Sequence, residues 1–264
     1  MAGPAPDLTE QMIIRQLADA IKNQNWFTVL IEFVIVVAGI FVGLQVNDWN
    51  EARLDRAKER LNLERLLGEA EISVSYIRGM VEDVESDIGS QRELLKIMSS
   101  DGPLPKDTAA AEWGFESLNF MMALTPPRTV YDELAATGGL RLIRSHLVRE
   151  AISEYYATLQ NLQAQLDYFR DVSISAGADQ FLAASDHVKA EYDPNHEISR
   201  RFVFDWPGLR ADAHLRSLFV TKLRNQIVMN NLRGHLLGRA TIMCEAIAKE
   251  VNRVCDSARA MEPE

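Results

Sequence analysis

Hydrophobic and polar positions follow two rhythms along this chain, and each predicts a different element. Residues 33–44 are an unbroken apolar run, and extension to Trp26 and Val46 gives 21 residues with one charge, Glu32. A stretch of about 20 mostly apolar residues crosses the hydrocarbon core of a bilayer, so 26–46 is predicted as a transmembrane helix. Trp26 and Trp49 stand at its two ends, where amphipathic indoles favour the headgroup region. The run is long and starts late, so it is expected to remain as an anchor rather than be cleaved as a leader.

The second rhythm is a four-three alternation. It runs through Leu63, Leu67, Ala70, Val74, Ile77, Val81, Val84, Ile88, Gln91, Leu95 and Met98, ten of these eleven being apolar. Such a repeat is the seam of a coiled coil or a long bundle helix. No Gly or Pro interrupts EARLDRAKER between the span and the seam, so the membrane helix is expected to continue as a stalk over 47–98. The same alternation returns at Val148, Ile152, Tyr155, Leu159, Leu162, Leu166 and Phe169, in a helix capped by Ser145 and expected to reach toward Asp186. A last long helix is predicted over 211–254, with Leu215, Phe219, Leu223, Ile227, Leu237, Ala248 and Val251 apolar.

Shorter pieces join these helices. SSDGPLPK at 99–106 is a break, and a short helix follows over 108–124 with Trp113, Phe120 and Met121 as core. Thr125-Pro126-Pro127 opens another, which ends at Gly138-Gly139, a suitable C-cap pair. Residues 192–208 read as a loop in which Phe202, Phe204 and Trp206 alternate as a lid or a brief strand. The predicted fold is all-α. It comprises a tail with a short amphipathic helix (1–25), the transmembrane helix (26–46), the stalk (47–98), an antiparallel helical bundle (99–258) and a C-terminal tail (259–264).

The span is not uniform around its circumference. At about 100° per residue, Glu32, Gly39, Gly43 and Asn50 fall within about 20° of one line, with Asn47 to one side. Small residues let two helices approach closely, and polar groups in lipid need partners, so this face is expected to associate. Glu32 reads as a carboxyl near the membrane edge, protonated or hydrogen-bonded in an assembly. A proton or ion pathway would need ionisable groups deeper in the span, and there are none.

Composition narrows the function classes. Asp and Glu number 38 against 28 Lys and Arg, giving a net charge of −10, which argues against nucleic acid or anionic lipid as a broad-surface partner. Cys244 and Cys255 are the two cysteines. Placed eleven residues apart on one helix they would be about 16 Å from each other, too far for a bridge. The histidines are His146, His187, His196, His214 and His235. Asp186-His187, Glu191, Asp193 and His196-Glu197 form a loose cluster, read as a solvated helix end because no metal-ligand spacing accompanies it. No nucleophile elbow or phosphate-cradling loop appears, so no catalytic residue, metal or cofactor is expected. Asn225, Asn230, Asn231 and Gly234 interrupt the last helix's apolar face, as a register-setting polar layer or the lining of a small pocket.

Two blocks carry a resemblance. One is Glu32, Val36-Val37-Ala38-Gly39-Ile40 and the exit Leu44-Gln45-Val46-Asn47-Asp48-Trp49-Asn50-Glu51. The other is Tyr131-Asp132-Glu133-Leu134, Gly138-Gly139, Leu142-Ile143, Leu147 and Tyr155-Tyr156. Together they cover about a third of the chain, which resembles a domain-of-unknown-function family of bacterial single-pass membrane proteins. That resemblance implies a helical domain anchored in the bacterial inner membrane, with no activity attached. Family members carry basic N-terminal tails, which implies a periplasmic domain. The cation count here points the other way: Arg15 and Lys22 precede the span, whereas Arg53, Arg56, Lys58, Arg60 and Arg65 follow it. The reading adopted is periplasmic.

The function expected is therefore a non-enzymatic membrane scaffold or accessory subunit. Its partners would be the bilayer and either further copies of itself or a larger membrane complex, met through the span and the stalk seam. The rival is a ligand-sensing bundle signalling through a separate partner.

Overall fold

The computed structural model describes residues 12, 26–118, 120, 122–175, 183–192 and 200–258. The N-terminal tail with its predicted short helix over 12–24 lies, except for Met12, outside the described residues, as does the C-terminal tail over 259–264. The chain divides into two units, Met1–Ala57 and Lys58–Glu264.

Helix α1 runs Trp26–Met98. In the first unit all its described side chains from Trp26 to Glu51 are exposed. The run of Val, Ile, Leu and Phe is therefore a helical surface with no core beneath it. The helix holds because no proline interrupts it, and it stops at Met98, before Gly102, Pro103 and Pro105.

In the second unit α1 is joined by α2 (Ala109–Ser117), α3 (Thr129–Thr137), a 3-10 turn (Gly139–Leu142) and α4 (His146–Ser175). These are followed by strands β1 (Val188–Tyr192) and β2 (Arg200–Phe204), α5 (Trp206–Ala211) and α6 (Ala213–Glu250). The fold is all-α, decorated by one antiparallel ribbon in which Val188 faces Phe204 and Ala190 faces Phe202. The stretch expected as a loop with a lid or brief strand thus resolves, at Phe202 and Phe204, into β2.

Capping marks the starts. Asp212 accepts from the Leu215 amide at 2.9 Å and starts α6, and Asp205 accepts from Gly208 at α5, where Pro207 occupies the first turn. Gly138 ends α3 with φ +77°, a left-handed conformation that Gly adopts without penalty. The α2 helix ends earlier than expected. The backbone over 123–125 is held by side chains instead, with Gln163 Nε2 donating to the Leu124 carbonyl and the Thr125 amide donating to Tyr76. Two of the core residues predicted there lie outward: Trp113 is 44% exposed with its indole donating to Asp87, and Phe120 is half-exposed. The large side chain that this helix buries is that of Phe115, ringed edge-to-face by Phe202, Phe204 and Phe219 at 5.5–5.9 Å. Gly114 lets α2 press on α1, since a Cβ there would strike the Ser90 carbonyl.

The four-three seam of α1 lies inside this unit. Leu63, Leu67, Val74, Ile77, Val84 and Ile88 are buried, with Val81 and Leu95 half-buried. Most of them pack in one core with Tyr155, Leu159 and Leu162 of α4 and Met229, Leu236, Met243 and Ile247 of α6. The stretch 58–98 is thus a core helix of the bundle rather than a stalk with its seam free.

Candidate functional site

The residues singled out on the span share one helix face. Glu32, Gly39, Gly43, Asn47 and Asn50 are all exposed, and a Cβ built on Gly39 or Gly43 meets nothing within 4 Å. Asn47 donates to Glu51 at 2.9 Å, which fixes its amide along the helix. Trp26 and Trp49 are both exposed at the ends. An 18-residue window of mean hydropathy 2.5 lies in this helix with none of it buried, so α1 is long and apolar enough to cross a membrane.

A second constellation lies within the bundle, and sequence reading found only half of it. Glu69, 5% exposed, accepts from the Val130 amide (2.6 Å), the Tyr131 amide (3.1 Å) and the Tyr156 hydroxyl (2.8 Å). Its carboxylate satisfies the orphan N–H groups at the start of α3, where negative charge also complements the helix dipole. Tyr131 stacks on Tyr156 with centroids 3.6 Å apart, and Tyr155 meets Tyr156 edge-on at 4.7 Å. Burial pushes the Tyr155 phenol up to about 12; burial, and then its bond to Glu69, push Tyr156 further. With every acceptor of Glu69 used internally, this cluster is a clamp between α1, α3 and α4. The Arg65–Glu133 pair and the Arg144 amide donating to Glu59 extend it along α1.

The cysteines overturn the sequence expectation. Helix α6 ends at Glu250, Asn252 takes φ +57°, and Arg253 N donates back to the Ala248 carbonyl. The chain thereby doubles back instead of carrying Cys255 a further turn and a half along the axis. The Cα atoms of Cys244 and Cys255 come to 5.6 Å and form a disulfide. The staple is seated on α1 by the Asp256 amide donating to the buried Glu71 and by Arg78 donating to Ser257.

The loose histidine cluster does not assemble a ligand set among the described residues. His187 lies 3.8 Å from Asp205 and 3.5 Å from Asp212, both of which cap helices, while Asp193, His196 and Glu197 lie outside the described residues. No group of three or more His, Cys, Asp or Glu converges among the described residues. Of the polar positions on α6, Asn230 is buried and donates to the Val81 carbonyl at 3.3 Å, whereas Asn231 and Gly234 are exposed. The residue that the sequence did not single out is Arg233, buried three positions after Asn230. No family model, curated protein or solved structure matches the chain.

Proposed function

We propose that this chain is a single-pass protein of the bacterial inner membrane, a scaffold or accessory subunit without catalysis of its own, which self-associates or docks on a larger membrane complex through its span. The observation that carries this reading is the wholly exposed apolar window of α1. Each large apolar side chain left in water forgoes about 1.5–3 kcal/mol, so a surface of this length requires lipid or a partner around it. The association face is Glu32, Gly39, Gly43, Asn47 and Asn50, where open space at both glycines admits a second helix. The seam from Leu63 to Leu95 is occupied by the chain's own bundle, so the span face carries the association alone.

The disulfide supports placing the 58–258 domain in the periplasm. It consumes both cysteines of the chain, and disulfides persist in oxidising compartments while cytosolic thiols stay reduced. This outweighs the cation count, because long domains translocate largely regardless of charge.

The test is the paired substitution Gly39→Leu and Gly43→Leu in the full chain. It should reduce oligomer size or partner recovery after gentle extraction, while the thermal unfolding of the bundle stays unchanged. An unaltered complex removes the span face from the account. Glu32→Gln should weaken assembly only modestly.

A further inference from the structure

Two aromatic rings lie on the outside of the second unit, at positions where the sequence pattern predicts core. Trp113 of α2 is 44% exposed, and Phe120, just beyond the end of that helix, is 45% exposed. Single exposed apolar residues are ordinary, but these two rings meet edge to face with centroids 5.7 Å apart. The Trp113 indole donates to Asp87 of α1 at 2.8 Å, so the ring is held in one orientation while much of its surface stays open. A large ring fixed in advance loses little freedom on binding, which suits it to anchor an interface.

Carboxylates accompany the rings. Asp87 stands at the indole edge, and Glu116 follows Trp113 by three residues, on the same side of α2. Glu112 accepts from Thr108 at 2.6 Å, whereas Glu116 has no ion-pair partner among the described residues. Burial, and next the like charge of Glu112, push the Glu116 carboxyl above its usual range. Like charges four residues apart on a helix repel, and a cation from outside would relieve that repulsion.

A fixed aromatic face beside negative charge fits one class of side chain best. A guanidinium lays its plane on an aromatic ring and donates in pairs to a carboxylate, whereas an ammonium is a point charge without that fork. The same carboxylates repel nucleic acid and anionic headgroups. We propose that the Trp113–Phe120 face, with Asp87, Glu112 and Glu116, docks an arginine-bearing basic segment of a partner protein. The rings receive the guanidinium plane, and Glu116 accepts from its N–H groups. This contact is separate from association in the membrane and does not depend on it.

The experiment is fluorescence anisotropy of labelled hexa-arginine, hexa-lysine and hexaglutamine peptides, titrated with the full chain in phosphatidylcholine nanodiscs after subtraction of empty discs. Hexa-arginine should bind saturably and more tightly than hexa-lysine, and hexaglutamine should not bind. Trp113→Leu with Phe120→Leu keeps apolar bulk but removes both π faces. It should weaken hexa-arginine binding about 2–5-fold, the factor of one exposed cation–π contact, and erase the advantage over hexa-lysine. Circular dichroism checks that this pair still folds, and Trp113→Tyr, which retains a ring, should keep the advantage. Glu116→Gln should weaken both basic peptides, while Glu245→Gln, the same charge change at an exposed position of α6, should weaken neither. Equal binding of the two basic peptides, undiminished hexa-arginine affinity in the leucine pair, or an equal loss in Glu245→Gln would each overturn the proposal. So would a fall in the native mass of the leucine pair, which would assign the face to a second copy of the chain.

Discussion

At the scale of single residues, Glu69 decides how α3 is held. Its two oxygens take two backbone amides and a phenol, all buried or nearly so. Glu69→Ala leaves those donors unsatisfied, so it should cost about 3 kcal/mol or more of domain stability by thermal or denaturant unfolding. Glu69→Gln keeps one acceptor oxygen but turns an amide donor toward other donors, so it should be intermediate. The neighbouring phenols give a pH signature. Tyr155 is pushed up to about 12 and Tyr156 is raised further, so above pH ~10 the unfolded chain loses protons that the folded one retains. Stability contributed by these groups is complete below pH ~10 and falls as pH rises beyond it. Unfolding midpoints measured between pH 9 and 11.5 should fall, and Tyr156→Phe should flatten part of that slope. Of these tyrosines Tyr155 is readable as an apolar position on the four-three repeat, whereas Tyr156 and Tyr131 stand off it. Nor is Glu69 readable, because it lies 87 residues from Tyr156 and sits beside the seam rather than on it; periodicity reports which face is buried, not which buried polar groups meet.

At the scale of elements, periodicity performed well where helices are long and poorly where they end. The buried seam of α1 and the apolar faces of α4 and α6 follow the predicted rows, since helical geometry forces residues three and four apart onto one side. Helix ends depend on local competition. The α2 helix stops at Ser117 and hands its downstream backbone to Tyr76 and Gln163, which no repeat in the sequence announces. The end of α6 had the largest consequence, because four residues of reversal turn a forbidden cysteine separation into a disulfide. Closing a loop of eleven residues contributes about 3 kcal/mol by restricting the unfolded chain. Cys244→Ser with Cys255→Ser should lower the unfolding free energy by roughly that amount. Whole cells treated with an alkylating reagent before lysis should yield chain with both cysteines blocked to labelling until it is reduced; free thiols in the native protein would place the domain in the cytoplasm.

At the scale of the molecule, two physical solutions to apolar surface coexist in one chain. In the second unit the apolar rows close on each other; in the first they remain open. The open rows were legible at once, because an uninterrupted apolar run has few explanations. What surrounds them was not, since the partner of a helix face is no part of the helix's own sequence. The native mass and chain content of the protein, extracted gently from its own membrane, addresses this most directly. The account predicts an assembly at a whole multiple of 29.7 kDa, or co-extraction of other chains at fixed stoichiometry. A bare monomer would contradict it.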